Sequence, residues 1–280
     1  MLAFSRIPGN AVSFWIRRTL RWSRGAPSLP HESKENLFAY LPDEDAGQAE
    51  MRERDLRSRY RLATLADAST RALYRKNLYL LDMLEQAWGG LGKDEGEGGM
   101  PVKALDVGSQ DWHYVFALER WLRYRNAPPR RRVELKGVEV DGYGIYPDFR
   151  SRKDYALAYA AQTDNPDIVY EVGDFLQTEG GGVEVLTWFY PFVTRHHLLL
   201  WGLPLRFYRP AGLLAKAAGL VKAGGRMLVF THTLQEHALF LELGRAAPGL
   251  TLEREGQVKS RLVDFYRDVA DRRYSVWRRI

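Results

Sequence analysis

Four carboxylates stand at the ends of short β-branched runs: Asp106 in ALDV, just before Gly108; Glu139 and Asp141 in GVEVDG; and Asp174 in EVGDFL. A carboxylate accepts hydrogen bonds from paired hydroxyls or an exocyclic amine with charge assistance, so acids at successive strand tips suit a neutral, polar, adenosine-like ligand. A dinucleotide would also need glycine backbone at a helix N-terminus to cradle its pyrophosphate. From Gly108 the chain reads G-S-Q-D-W-H, without G-x-G-x-x-G, and Asp111 would repel phosphate. A phosphate-free ligand is the better match. The plainer alternative is that these acids cap helices and solvate strand ends, and Ser109 or Asp111 can cap the helix that follows the first run.

Five of the six histidines (His113, His196, His197, His232 and His237) fall at or near the same strand ends. His232 or His196 is placed to take a proton from a substrate. Metal binding by His196, His197, His232 and Glu236 is a rival reading, but the spacing is not diagnostic and no metal site is expected. Contacts to loop backbone are the third. Between the fourth run and the next helix lies an aromatic, arginine-bearing insert, WFYPFVTRHHLLLWGLPLRFYRP over 188–210. Its Trp188, Tyr190, Phe192, Trp201 and Tyr208 could stack a flat substrate while Arg195, Arg206 and Arg209 meet an anion, with Tyr190 a further catalytic candidate; alternatively the insert packs as a local core.

The elements that must carry these residues are legible in the periodicity. The runs 102–107, 135–140, 167–172, 183–189 and 226–231 are short and apolar without clean alternation, as in strands buried on both faces of a parallel sheet. Helical stretches at 112–125, 151–162, 210–222 and 235–246 intervene or follow, and the crossover from the third run to the fourth has room for a turn or so. This alternation predicts a doubly wound α/β sheet whose ligand sits outside the carboxyl ends of the strands. Strand-like pieces near 250–254 and 272–279 close the chain, and the last can return antiparallel. The text from Glu50 to Trp88 is helical, with Asp67 as the expected N-cap of its second helix. A connection at 89–99 holds six glycines. The expected division is therefore an arm at 1–31, a helical extension at 32–88, the Gly-rich linker and a sheet domain at 100–280.

At 280 residues, 45% hydrophobic and 27% charged, with mean hydropathy −0.38, the chain reads as an ordinary globular protein. No apolar stretch is long enough for a spanning helix. With no cysteine, disulfide frameworks and thiol chemistry are excluded, and the expected location is the cytoplasm. Of the net charge of +6, residues 1–31 supply five through Arg6, Arg17, Arg18, Arg21 and Arg24, with no acid before Glu32. The remainder is nearly neutral. In the arm Val12, Trp15, Ile16 and Leu20 share one helical face and the arginines another, a pattern suited to a membrane surface or an acidic partner. A dimer's packing arm, a loose tail and an organelle transit segment stay open.

Over about 100–280 the chain resembles the class I S-adenosylmethionine-dependent methyltransferases. ALDVGS is similar to that family's first motif, GVEVD to its second strand with a ribose-binding acid, and GDFL to the acid-bearing motif at the adenine. LLAKAAGLVKAGGRMLVFT resembles its helix–turn–strand segment, with Gly224 and Gly225 in the turn, and RRYSVWRR its antiparallel last strand. The resemblance implies a Rossmann-like seven-stranded domain and S-adenosylmethionine as cofactor. It sets Asp106, Gly108 and Ser109 by the amino-acid part, Glu139 at the ribose hydroxyls and Asp174 at the adenine amine, with Val140, Asp141 and Phe175 flanking the base. Gln110 and Trp112 replace glycines usual in the family, and FYPF lacks the Asp/Asn-Pro-Pro-aromatic signature of amino-group methyltransferases. The expected activity is methyl transfer to a small or lipid-like acceptor. One alternative is a tRNA or other RNA methyltransferase: PF-x-x-RHH faintly resembles the guanine-N7 enzymes, and the arm, the 52–61 helix and RRR at 130–132 could meet phosphates. Another is a binding protein of this fold without catalysis.

Overall fold

Short β-branched runs bounded by glycine and polar turns become seven strands: β1 (Val102–Val107), β2 (Val133–Glu139), β3 (Ile168–Val172), β4 (Val183–Phe189), β5 (Val221–Thr231), β6 (Leu250–Gln257) and β7 (Arg273–Arg279). The computed structural model describes residues 2–91, 100–126, 132–262 and 271–280, with side chains from residue 7 onward. The strands form one sheet in the order 3-2-1-4-5-7-6. Strands β1 to β5 pair in parallel, and β7 runs antiparallel to both β5 and β6. The fold is thus the doubly wound, mostly parallel, seven-stranded sheet with an antiparallel last strand that the sequence implies. Between β3 and β4 there is space only for a 3₁₀ turn, Phe175–Gln177.

Helices α5 (Val115–Tyr124) and α6 (Arg152–Ala161) cover one face of the sheet, and α8 (Pro210–Leu220) and α9 (Leu234–Ala246) the other. The helical extension comprises α2 (Asp43–Tyr60), α3 (Ala63–Asp67) and α4 (Arg71–Trp88). Asp67 ends α3; the N-cap of α4 is Thr70, whose Oγ1 accepts from the Leu73 N–H at 3.2 Å. The extension shares the α5-side core: Trp88 packs edge-on against Trp121 with centroids 5.4 Å apart, and Leu78, Leu81 and Leu84 are buried beside Leu122 and Val185. Residues 92–99 of the expected linker lie outside the described residues. No helix among the described residues is long and apolar enough to cross a membrane.

The arm is α1 (Leu2–Leu20), and the insert contributes a short helix, α7 (Arg195–Leu200). Ile7, Asn10, Phe14 and Arg17, spaced three, four and three, turn toward the body. Phe14 is 1% exposed among Leu198, Leu199 and Leu203, the Asn10 amide donates to the carbonyls of Leu199 and Leu203, and Arg17 forks onto Asp141 at 2.9 and 3.2 Å. Beyond α1, Ser23 and the Arg24 N–H both bond to Asp154, which also closes a capping box with Ser151 at the start of α6.

Strand alternation decides where Asp106 goes. Leu105 and Val107 face α8 and α9, so Asp106 points with Ala104 toward the α5 side, where it is wholly buried. A carboxylate there requires donors. It accepts from the Trp112 indole N–H at 2.9 Å, the Tyr114 hydroxyl at 2.7 Å and the Thr187 hydroxyl at 2.6 Å. The Trp112 ring crosses Gly137, the register partner of Asp106 on β2; a Cβ at Gly137 would lie 2.6 Å from the indole, so glycine is needed.

Burial raises the Asp106 carboxyl to about 7 despite its three hydrogen bonds. An acid that holds its proton more tightly when folded contributes stability that is fully present below its unfolded value near 3.8 and is lost as pH rises through about 7. Asp106→Asn keeps the shape, accepts from Trp112 and Tyr114 and donates to Thr187. Urea denaturation from about pH 4 to about pH 8 is expected to show a flatter stability profile for this variant than for the wild type; identical slopes would count against the assignment.

Candidate functional site

The order in which strands are added reverses at β1, which lies between the parallel strands β2 and β4, and such a switch point opens a crevice past the carboxyl ends of the strands. Here it holds about 1140 Å³, its open mouth included. Gly108, Gln110, Glu139, Val140, Asp174 and Phe175 form the wall from β1 to β3. The opposite wall carries Trp188, Tyr190, Phe192, Trp201 and Phe207, with His197, His232 and Glu236 at its polar end.

The loop after β1 keeps an alternating left-handed backbone, with φ of +73° at Gly108, +53° at Gln110 and +54° at Trp112. Left-handed conformations cost non-glycine residues about 1–2 kcal/mol each, and local bonds hold them in place. The Gln110 N–H donates to Glu139 at 2.9 Å, the Gln110 carbonyl accepts from the Tyr170 hydroxyl, and the Trp112 N–H donates to the Ser109 carbonyl. A Cβ at Gly108 would meet nothing within 4 Å, so the backbone there faces open space.

Glu139 ends β2 with its carboxylate in the crevice wall. One oxygen accepts from Gln110 N–H and the other from Asp141 N–H at 2.8 Å. Burial pushes this carboxyl up, opposed by the Arg152 guanidinium and the two backbone donors. Asp174 also lines the crevice; one oxygen caps the Leu176 N–H and the other pairs with Arg209 at 2.6 Å. Glu139, Val140, Asp174, Phe175 and Gly108 are therefore brought together.

Three of the expected cofactor contacts are not. Asp106 is sequestered on the α5 side of the sheet, for the alternation reason above, and Ser109 is buried outside the crevice wall. Asp141 turns to Arg17 and Arg152, at 2.9 and 3.3 Å, instead of flanking the pocket. Asp111 is bound to His113 and Tyr146; burial raises its carboxyl, but those partners hold it well below the usual carboxylate range.

Of the histidines, His197 and His232 line the crevice and His196 does not: it sits exposed on α7, because consecutive helical residues diverge by about 100°. His237 is buried on the inner side of α9, facing Thr231 and Glu255. His232 stacks on Tyr190 with centroids 3.7 Å apart and planes 11° from parallel. Burial lowers its pKa to about 4, helped by the nearby Arg272 and His197. His197 presents Nδ1 to Glu236 at 2.7 Å and to the Thr194 hydroxyl at 2.9 Å. Glu236 is itself fixed: its N–H bonds to the Thr233 N-cap, and its other oxygen accepts from the His232 N–H at 3.1 Å. Sequence alone offers His197 and Glu236 as metal ligands, and His197 also as a loop residue contacting backbone, and not as a base and its partner. The two T-x-x-H and T-x-x-E capping patterns at 194–197 and 233–236 were the signal that both are held. Among the described residues no group of three His, Asp or Glu is arranged to hold a metal ion.

The insert serves both readings: Trp188, Tyr190, Phe192 and Trp201 line the crevice, whereas the Tyr208 hydroxyl bonds to the Val193 carbonyl and Arg195 lies over the Tyr208 ring. Three of the arginines expected to meet nucleic-acid phosphates are engaged with acids, whereas Arg18 and Arg21 of the arm are exposed. Arg52 pairs with Asp55, Asp82 and Glu85, Arg59 with Glu85, and Arg132 with Asp167. Arg130 and Arg131 lie outside the described residues.

No protein-family model and no curated protein matches the sequence. Among solved structures, similar folds include TrmN from Thermus thermophilus (17% identity, 73% of this chain and 49% of that one, TM-score 0.48). Geranyl diphosphate C-methyltransferase from Streptomyces coelicolor A3(2) is similar at 11% identity over 78% of this chain and 82% of that one, TM-score 0.49. The N-methyltransferase NodS from Bradyrhizobium japonicum is similar at 12% identity over 74% and 96%, TM-score 0.43. The chain spans about half the length of the Thermus protein.

The burial of His232 has a direct readout. In a histidine-resolved NMR titration its imidazole is expected to titrate near about 4, against an ordinary 6.5, and so to be neutral throughout the physiological range. A midpoint at or above the ordinary value would refute the assigned environment.

Proposed function

We propose that the crevice binds S-adenosylmethionine and that the protein transfers its methyl group to a small or lipid-like acceptor. The observation that carries this reading is Glu139. Its carboxylate sits at the switch point of the sheet, each oxygen pinned by one backbone N–H and each with capacity to accept from one of two ribose hydroxyls. Val140 and Phe175 supply apolar flanks for a purine, and Asp174 lies at the next strand tip to accept from its amine. Gly108 leaves its backbone open to the ligand. The methionine end would meet Gln110 in place of glycine, and Asp106 contributes there only by shaping the loop.

When bound, the cofactor supplies a sulfonium-activated methyl group open to in-line displacement. What remains for the chain is to orient the acceptor, exclude water and take a proton. The aromatic wall of Trp188, Tyr190, Phe192, Trp201 and Phe207 suits an apolar or flat acceptor. We assign the proton to His197. Its Nδ1 is fixed by the Glu236 carboxylate and the Thr194 hydroxyl, which leaves Nε2 to accept a proton. His232, with a pKa near 4, is a weak base at neutral pH; stacked on Tyr190, it shapes the wall. The near-neutral body and the acid-paired arginines of α2 favour a small acceptor over RNA.

Calorimetry with S-adenosylmethionine tests the cofactor site. The wild type is expected to bind, and Glu139→Gln to bind about 10- to 100-fold more weakly, as for loss of hydrogen bonds to a charged group, with unchanged circular dichroism. No binding by the wild type would leave a binding protein of this fold without methyl transfer.

The base is tested by incubating the enzyme with tritiated S-adenosylmethionine and a lipid and metabolite extract of the source cells. His197→Gln is expected to lower label transfer about 100- to 10,000-fold with cofactor affinity unchanged, whereas His196→Gln leaves it intact. Equal transfer by wild type and His197→Gln would remove the base assignment.

A further inference from the structure

The arm presents its faces in an unexpected order. A helix that serves only to pack should bury its most apolar stripe. Here the body-facing stripe includes Asn10 and Arg17, whereas Val12, Trp15, Ile16 and Leu20 turn outward, with Trp15 62% and Leu20 68% exposed. At 100° per residue these four fall within about 140° of arc on the side opposite Phe14. Trp22, also exposed, continues the surface: its indole N–H donates to the Phe149 carbonyl at 2.7 Å, and the Phe149 ring is 66% exposed.

Charge identifies what covers this surface. The acids that the arm approaches are matched from within: Asp141 by Arg17 and Arg152, Asp154 by Ser23 and the Arg24 N–H. Arg18, about 60° round the helix from Trp15, and Arg21, just past the last turn of α1, remain exposed, and no acid occurs before Glu32. An exposed apolar face with tryptophans, bordered by arginines, has the composition of a helix lying in the headgroup region of an anionic bilayer: the rings and aliphatic chains enter the acyl boundary and the guanidinium groups stay with lipid phosphates. The helix lies in the plane of the interface, being too polar to span it.

We propose that α1, with Trp22 and Phe149, docks the protein on an anionic membrane surface. The proposal does not rest on methyl transfer. The docked position is defined, because Phe14 and the Arg17–Asp141 pair hold α1 against the body, leaving the outward stripe preorganised for the bilayer. Phe14 stacks edge-on with Phe207 at 5.0 Å, and Phe207 lines the crevice, so the buried side of α1 rests on the insert that walls the crevice.

The test is co-sedimentation of the full-length chain, without cofactor, with vesicles of phosphatidylcholine alone or mixed with phosphatidylglycerol. The wild type is expected to pellet with the mixed vesicles, less so at high salt, and scarcely with phosphatidylcholine. Trp15→Ser combined with Ile16→Ser should lower vesicle affinity at least about tenfold. Arg18→Glu combined with Arg21→Glu should abolish the preference for phosphatidylglycerol. Both pairs are exposed, so thermal unfolding should be unchanged. Absence of wild-type binding to mixed vesicles, or equal binding by the variants, overturns the proposal. So does a wild-type dimer by analytical ultracentrifugation that Trp15→Ser with Ile16→Ser converts to monomer, since the stripe would then cover a second copy. None of these readouts involves S-adenosylmethionine, so the result stands apart from the calorimetry.

Discussion

A single buried carboxylate organises the crevice. Asp106 cannot reach the strand-tip opening because β1 alternates, and on the α5 side it meets no water, so the chain must bring donors to it. Thr187 comes from the adjacent strand β4 and Tyr114 from the start of α5. The third donor, Trp112, reaches it from a left-handed position in the connecting loop. Gly137 clears the path of the indole, and the loop thus folded aims the Gln110 N–H at Glu139. The Trp112 ring therefore packs between the loop and β2 as a structural piece and stays out of the crevice wall.

This arrangement divides four sequence-similar acids into four different roles. Asp106 is a buried acceptor with an elevated affinity for its proton, and Asp141 is an ion-pair hub between the arm and α6. Asp174 combines a cap with a pair to Arg209, while Glu139 is held by backbone alone. Strand-end position is shared by all four; what distinguishes them is side-chain direction and the cations within reach. Carboxylates in direct pairs are less available to a neutral ligand than one whose partners are backbone N–H groups, and on that ground Glu139 is the centre of the ligand-binding reading.

The doubly wound parallel sheet and the crevice were legible because they follow from βαβ alternation, and the antiparallel β7 because a last strand directly preceded by another can return that way. Glu139, Val140, Asp174 and Phe175 were legible for the same reason: they stand at the ends of strands that border the switch point. Asp106 was misdirected because strand-end position says nothing about which face a residue takes one step before the end. His196 and His197 are told apart in sequence only by the cap: Thr194, three residues before His197, sets the entry angle of α7 and so decides which of them faces the crevice. The helical extension was visible as helices but not as part of the sheet's core, because a contact such as Trp88 on Trp121 joins residues that periodicity treats separately.

The arm shows how far such coupling extends. Arg17 binds Asp141, the Asp141 N–H is one of the two donors on Glu139, and Arg152 completes the pair from α6. Exposed ion pairs contribute little, but this one has an acid only 4% exposed, and removing one partner of a buried pair costs far more than the pair itself yields. Arg152, which also lines the crevice, would then be the only direct cation on Asp141 among the described residues. The arm is therefore more than an appendage laid over the insert. It supplies one of the charges that fix the electrostatics around the carboxylate on which ligand binding is argued to turn.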